Sequence, residues 1–354
     1  MPPAASHTST GARPLLLSSF AEAKARHAVA SMRDTEDSMK KPRFPFPVPF
    51  GWYQVGFADA ITRAEIKPLR FFGRDLVLWR SASGTLHLQD AHCPHLGANF
   101  SVGGRVVGEN IQCPLHQWQF DGVGSVASIP HASRNTANAC VRHYPLQIRH
   151  GLIMAWYHPH GAPASFNLPV VPAFDDPDFV PPLVTRHEIA TCLQEMGENA
   201  ADSAHFLTVH QHLAPARYDR FDFEGASMIM ESRQTFPSSG GPVAGYLNST
   251  SFGFGWAVVR YRTVIDVCML TTLTPIDKER VVQYFHVSYK NPERDARVDR
   301  IGAAFNQEVN RQLTDDMRIW EHKIYLPDPV LCDGDGPIAR YRKWARQFYT
   351  ETPR

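Results

Sequence analysis

Two short motifs, Cys93-Pro-His95 and Cys113-Pro-Leu-His116, constrain this chain more than any other feature of it. Each pairs a thiol with an imidazole, and seventeen residues separate the pairs. Such a chain has to bring two loops together so that four donors meet at one inorganic centre. Two Cys and two His suit a [2Fe–2S] cluster in which imidazoles replace thiolates on one iron. Neutral imidazole donates less charge than thiolate, so the potential rises to about −150 to +300 mV. Zinc accepts the same donors, but zinc fingers group them as like pairs, Cys-x2–4-Cys and His-x3–5-His. Mixed pairs on two β-loops favour the cluster. Gly97, Gly103 and Gly104 are expected to let backbone amides approach the sulfurs and tune them.

A second stretch runs from Glu198 to His210 and carries Asp202, His205 and His210. Two imidazoles and one carboxylate form the facial triad that holds non-haem Fe(II) and leaves coordination positions open. The two His are five residues apart. On a straight helix that spacing sets them about 140° apart around the axis. They meet one ion only if the helix ends or bulges near Phe206 to Val209. Asp202 shares a helical face with His205. It is placed to hydrogen-bond the ligands rather than to join them. The third ligand has to come from elsewhere in the chain.

The 354 residues suffice for two domains. A net charge of +1 gives no reason to expect nucleic acid or another polyanion as partner. No apolar run approaches the roughly 20 residues of a membrane span. Apart from Cys93 and Cys113, the cysteines (Cys140, Cys192, Cys268 and Cys332) are scattered, as expected of free thiols in a reducing, cytoplasmic compartment. Residues 1–41 read as a disordered tail. Residues 42–160 carry short β patterns broken by Gly and Pro and form an all-β domain, with the clearest strands at Gly51–Phe57, Leu76–Arg80, Leu86–Asp90, Ile111–Gln112 and Leu152–Tyr157. Residues 161–183 read as a linker, and 184–354 as the second domain. That domain opens with a helical tendency over Glu188–Leu213. Antiparallel strands follow near Ala226–Arg233, Gly255–Val264, Asp266–Thr274 and Val281–Tyr289. A long amphipathic helix spans Asp295–His322, and Tyr341–Tyr349 closes the chain as a short helix.

With both motifs in hand, the chain resembles the oxygenase components of Rieske non-haem iron oxygenases. Within them it is similar to the steroid-acting branch, the bacterial 3-ketosteroid 9α-hydroxylases and the Neverland-type cholesterol 7-desaturases. The resemblance rests on His92-Cys-Pro-His-Leu-Gly-Ala-Asn99, on Glu198–His210, and on Asp316-x-x-Ile-Trp-x-x-Lys323. The tail adds Pro329-Val-Leu-Cys-Asp-Gly-Asp-Gly-Pro337 and Arg342-Lys-Trp-x-x-Gln-Phe-Tyr349. It implies an α+β chain, a Rieske all-β domain followed by a helix-grip catalytic domain with an antiparallel sheet around a long helix. It implies one [2Fe–2S] cluster on Cys93, His95, Cys113 and His116, and one Fe(II) on His205, His210 and an Asp, with O2 as co-substrate. Asp315 and Asp316 both stand on the long helix, and the family's Asp followed by Trp four residues later selects Asp316. Asp202 matches the family's bridging carboxylate, between a cluster His of one subunit and His205 of the next. Glu198 stands where the family often has Asn, with Asn199 beside it. A head-to-tail homotrimer is also implied, since a heterologous interface repeated about a three-fold axis closes into a ring.

The chain has no plant-type Cys-x4-Cys-x2-Cys run and no complete dinucleotide fingerprint. Electrons are therefore expected from a separate NAD(P)H-dependent ferredoxin or flavin reductase. The substrate pocket is expected between sheet and long helix, with Met228, Met230, Phe252, Phe254, Trp256 and Met269 as candidate walls. Hydroxylation, C7–C8 desaturation and C-4 methyl oxidation of a steroid or sterol are three outcomes of one C–H oxidation. An aromatic-ring or O-demethylating Rieske oxygenase shares every metal residue. A non-catalytic Rieske electron carrier fused to a lipid-binding domain lacks the second iron.

Overall fold

A computed structural model describes residues 42–134, 138–213, 217–236 and 241–350. The expectation for residues 1–41 lies outside them.

The N-terminal part is built from β1 (Gly51–Phe57), β2 (Ile66–Phe71), β3 (Arg74–Arg80), β4 (Leu86–Asp90), β5 (Arg105–Val107), β6 (Asn110–Gln112), β7 (Gln119–Phe120), β8 (Val126–Ser128), β9 (His143–Tyr144), β10 (Leu146–Arg149) and β11 (Leu152–Tyr157). They form three small antiparallel sheets, ordered β1-β11-β10, β2-β3-β4-β9 and β5-β6-β7-β8. Val77, Trp79, Phe100, Ile111 and Phe120 make a compact core with Cys93 and Cys113 at its edge. Burying that much aromatic and β-branched surface fixes the two loops that leave it.

The C-terminal part holds β12 (Leu183–Ile189), α1 (Leu193–Glu198), α2 (His205–Thr208), β13 (Arg217–Glu224), β14 (Ser227–Phe236), β15 (Val243–Phe252), β16 (Trp256–Arg262), β17 (Asp266–Pro275), β18 (Val281–Tyr289), α3 (Ala296–Trp320) and α4 (Ile338–Ala345). One seven-stranded antiparallel sheet runs β12-β18-β17-β16-β15-β14-β13. Successive side chains alternate between its faces. Met228, Met230, Leu247, Val259 and Met269 turn toward α3, while Trp256, Cys268 and Leu270 turn away. The segment expected to be a linker packs on that second face. Leu168, Val171, Ala173 and Phe179 close over Trp52, Trp156 and Trp256.

The expected helix from Glu188 to Leu213 is not continuous. Its first two residues end strand β12, and the rest divides into α1, a 3-10 turn at Asn199–Ala201 and the single turn α2. β13 and β15 carry too many polar residues to stand out from sequence. Their outer faces are exposed, and the hydrogen-bond ladder of the sheet holds them. The Asp295 side chain caps α3 by accepting from Arg297 N at 2.7 Å. The buried face of α3 includes Val309, Leu313, Asp316 and Trp320, so one carboxylate stands in an otherwise apolar stripe.

Candidate metal centres

The two Cys/His loops are built alike. Cys93 N donates to Ala98 O at 2.8 Å, and Gly97 N donates to Cys93 O at 2.9 Å. In the second loop Cys113 N donates to Trp118 O at 2.8 Å, and Gln117 N to Cys113 O at 3.1 Å. The fourth residue after each Cys has positive φ, 77° at Gly97 and 60° at Gln117. Glycine adopts this region freely and glutamine does so at a cost. The amides of Gly97 and Gly104 donate to carbonyls, and the backbone amides of His95 and Leu96 reach the Cys93 sulfur.

Each loop turns its Cys inward and its His outward. Cys93 and Cys113 are both 2% exposed, whereas His95 is exposed and His116 half-buried. The two imidazole rings lie 4.8 Å apart, and Trp118 stacks on His95 at 4.4 Å and 9°. Burial, with Cys113 close by, pushes the Cys93 thiol up to about 11. A thiolate there needs a cation beside it. His116 Nδ1 is buried with no hydrogen bond. The donors form a sulfur pair and an imidazole pair, as a two-iron cluster requires. Among the described residues, the one set of at least three donors within 4.8 Å of one another lies elsewhere, at His205, His210 and Asp316.

The second centre solves the five-residue spacing by ending the helix. Val209 N donates to His205 O and His212 N to Phe206 O, while Gln211 takes φ 56°. His205 and His210 then point into one space, their rings 5.1 Å apart. His210 Nε2 lies 3.4 Å from Asp316 Oδ1. All three side chains are buried. Asp315 instead pairs with Arg311 at 2.7 Å, on the outer side of α3. His205 Nδ1 donates to Asp202 O at 2.6 Å, which leaves Nε2 as the free donor atom for a metal. Burial holds the His205 imidazole below its usual range, against the pull of Asp316. His210 Nδ1 is buried without a hydrogen bond. The donor set thus fits a hard, imidazole-binding ion such as Fe(II).

Asp202 hydrogen-bonds a ligand residue rather than joining the ligands, as its spacing from His205 implies. Its backbone carbonyl holds His205, while its carboxylate Oδ1 accepts from Ala204 N at 3.0 Å and His205 N at 3.2 Å. The carboxylate is 36% exposed, so one edge remains open to the outside. Asn199, rather than Glu198, is the further member of this site. Its Nδ2 lies 3.2 Å from both His205 Nε2 and Asp316 Oδ2. Its signals in the sequence are its place beside Glu198, where the family often has Asn, and one helical turn before Asp202.

The tail motifs brace this segment. Arg342 grips the buried Glu198 carboxylate with two bonds, at 2.6 and 3.0 Å, and Lys323 Nζ reaches Glu195 at 2.6 Å. Gly336, at φ 76°, lies against the backbone of residues 201–203, where a Cβ would meet Ala201 O at 2.4 Å.

A cavity of about 230 Å³ opens from the His205/His210/Asp316 site between the sheet and α3. Met228, Met230, Phe254 and Met269 line it as expected. Phe252 and Trp256 do not. They pack on the opposite face of the sheet with Trp52 and Leu168, because strand alternation turns them away.

Residues 51–145 match the Rieske [2Fe-2S] domain family, and residues 155–349 match the 3-ketosteroid 9alpha-hydroxylase C-terminal domain family. A probable 3-ketosteroid-9-alpha-monooxygenase oxygenase component of Rhodococcus rhodochrous is 28% identical over 341 residues, covering 90% of this chain and 85% of that protein. A cholesterol 7-desaturase of Caenorhabditis elegans is 28% identical over 339 residues, covering 86% and 77%. The crystal structure of dicamba monooxygenase bound to dicamba shares the fold, with TM-score 0.64 at 17% identity over 84% of this chain and 96% of that one. The chain therefore belongs to the Rieske oxygenases of the 3-ketosteroid 9alpha-hydroxylase family, oxidoreductases with a [2Fe–2S] cluster and a mononuclear non-haem iron.

Proposed function

We propose that the chain is an oxygenase component that oxidises a C–H bond of a steroid or sterol with O2, using electrons from a separate NAD(P)H-dependent ferredoxin or flavin reductase. The observation that carries this reading is the opening of the buried His205/His210/Asp316 set into an apolar cavity. Cys93, His95, Cys113 and His116 would hold the cluster, and His205, His210 and Asp316 the iron. When bound, the two groups supply one-electron storage and dioxygen activation, chemistry that protein side chains cannot provide.

The chain's own residues do the rest. Asp202 O fixes the His205 tautomer through Nδ1–H. Asn199 holds the Asp316 carboxylate toward His205. Met228, Met230, Phe254, Val309 and Leu313 keep water from the reacting carbon and accept an apolar skeleton by burial.

The reading includes a cytoplasmic head-to-tail homotrimer. Leu96 and Leu115 stand exposed beside the cluster imidazoles. Leu207, Leu213, Ile319 and Ile324 stand exposed around the iron segment. Exposed apolar groups of this kind mark contact surfaces. Docking one set on the other would bring the open edge of Asp202 toward a neighbour's imidazoles. Among the described residues the cysteines are free thiols, and no helix is long and apolar enough to cross a membrane.

Product mass from a turnover assay tests the reading. Iron-loaded protein with a surrogate reductase and NADH is offered cholesterol, a C-4-methyl sterol, a 4-ene-3-ketosteroid and biphenyl. An added oxygen on the ketosteroid marks a hydroxylase, and loss of two hydrogens from cholesterol a desaturase. An oxidised C-4 methyl marks a demethylation enzyme. Product from biphenyl alone would remove the steroid and keep the oxygenase.

A further inference from the structure

One side chain on the cavity wall has chemistry that the metal centre does not use. Gln283 lies on β18 between Leu273 of β17 and His187 of β12. It is 5% exposed, and its Oε1 is buried with no hydrogen bond. The wall it shares is largely apolar, with Leu273, Phe285, Val309 and Leu313 among its members. Three other polar side chains there have partners. Gln312 donates to Glu308, Tyr341 OH to Gln194 O and Trp344 Nε1 to Gly225 O. Among the described residues, two buried atoms on this wall lack a hydrogen bond, His210 Nδ1 and Gln283 Oε1. The first belongs to the metal centre.

An unsatisfied buried acceptor loses its hydration with nothing in return, and native structures seldom carry one without a reason. The position supplies one. His187, the strand neighbour of Gln283, contacts Asn310 of α3 at 2.6 Å. Asn310 precedes Asp316 by six residues, roughly 9 Å along the helix axis. The acceptor therefore stands off from the metal site while sharing its cavity. In an apolar slot, a rigid apolar skeleton can slide or turn over with little penalty. One acceptor at a fixed distance from the reacting end removes that freedom, as polar groups in apolar pockets do.

On the steroid reading above, we infer that Gln283 is the specificity-determining anchor of this cavity. Its amide pairs with a ring oxygen of the substrate and so selects an oxygenated steroid over the same skeleton without oxygen: Oε1 accepts from a hydroxyl, and the amide turned about its last bond donates to a ketone.

The test uses the full-length protein with both metal centres loaded. Cholestanol, cholestan-3-one and cholestane share one skeleton and differ only at the ring oxygen. Their dissociation constants are read from quenching of tryptophan fluorescence, because Trp320 and Trp344 are on the wall. Cholestanol should bind the wild-type chain about tenfold tighter than cholestane. Gln283→Met should abolish that preference and leave cholestane binding unchanged, and Gln283→Glu, which keeps an acceptor, should retain it. Equal binding of all three ligands by the wild-type chain would overturn the anchor and leave the steroid reading intact. So would a preference that survives in Gln283→Met, or a loss of all three ligands in both variants. A wild-type chain that binds none of the three would remove the steroid reading itself, and the anchor with it.

Discussion

The two metal-binding regions are built by opposite means. The cluster loops are local. Cys93 to His116 lies within one small sheet system, and both loops close with the same pair of backbone hydrogen bonds. They bury the sulfurs and present the imidazoles outward. The iron segment is assembled from afar. Its candidate ligands come from a helical turn, from the residues just past it and from a helix more than a hundred residues later, and its backbone is held by Lys323, Gly336 and Arg342. All three of its side chains are buried and face a cavity. A site that receives electrons has to be reachable from outside, whereas a site that attacks a C–H bond has to exclude water.

The largest effects separate the two regions. Asp316→Ala should remove the mononuclear iron and all turnover while the visible spectrum of the cluster stays unchanged. Cys113→Ala should do the reverse, with the cluster spectrum lost and the mononuclear iron retained by metal analysis. If either variant emptied both sites, the regions would be one folding unit and the contrast would fail. Asp202→Asn tests the link between them. Asparagine keeps an oxygen to accept from the amides of Ala204 and His205, so both metals should stay. Turnover should nevertheless fall at least about 100-fold, because the open edge loses its charge. Activity near the wild-type rate would reduce Asp202 to a helix cap.

This contrast also explains what was legible in the sequence. Cys93, His95, Cys113 and His116 stand in motifs whose spacing names the loops. Leu152–Tyr157 announces itself by continuous apolar composition, and Val281–Tyr289 by its β-branched and aromatic residues. His205 and His210 were visible as residues, but their convergence depends on a helix end set by Gln211 at positive φ, which no pattern announces. Asp316 could be told from Asp315 only through the family's Asp-to-Trp spacing. In the structure, burial beside Leu313 and Trp320 is what distinguishes it. Gln283 was passed over because its importance comes from what it faces rather than from where it stands in the chain, and Asn199 stood out only as the neighbour of Glu198.

Removing the outside support should weaken the iron segment without touching a ligand. Glu198 is buried and its carboxylate is held by Arg342. Arg342→Met leaves that charge without its closest partner and should destabilise the protein by about 3 kcal/mol, read as a lower urea midpoint. Gly336→Ala should cost about 2 kcal/mol, from positive φ and the clash with Ala201 O. Its effect on turnover should exceed its effect on the cluster spectrum, since the displaced backbone carries Asp202.

The seam between the two regions gives the smallest effect and the one that depends on pH. Gln54 of β1 accepts from Thr272 Oγ1 of β17 at 2.5 Å, and His286 Nε2 of β18 lies 3.1 Å from the same oxygen. Burial lowers the His286 imidazole from 6.5 to about 4. The unfolded chain therefore binds this proton more readily than the folded one. The contribution of the neutral imidazole is intact above pH 6.5 and is lost as the pH falls from there toward 4. At pH 5.5 the loss is roughly 1.4 kcal/mol. His286→Gln keeps a donor for Gln54 but cannot titrate. Its urea midpoint should fall less than that of the wild type between pH 7.5 and pH 5.5, by that difference. Other buried imidazoles, His205 among them, titrate alike in both proteins and cancel in the comparison. Parallel midpoint curves for variant and wild type would mean that His286 gives the seam no pH-dependent stability and that its polar joint rests on the Thr272–Gln54 hydrogen bond.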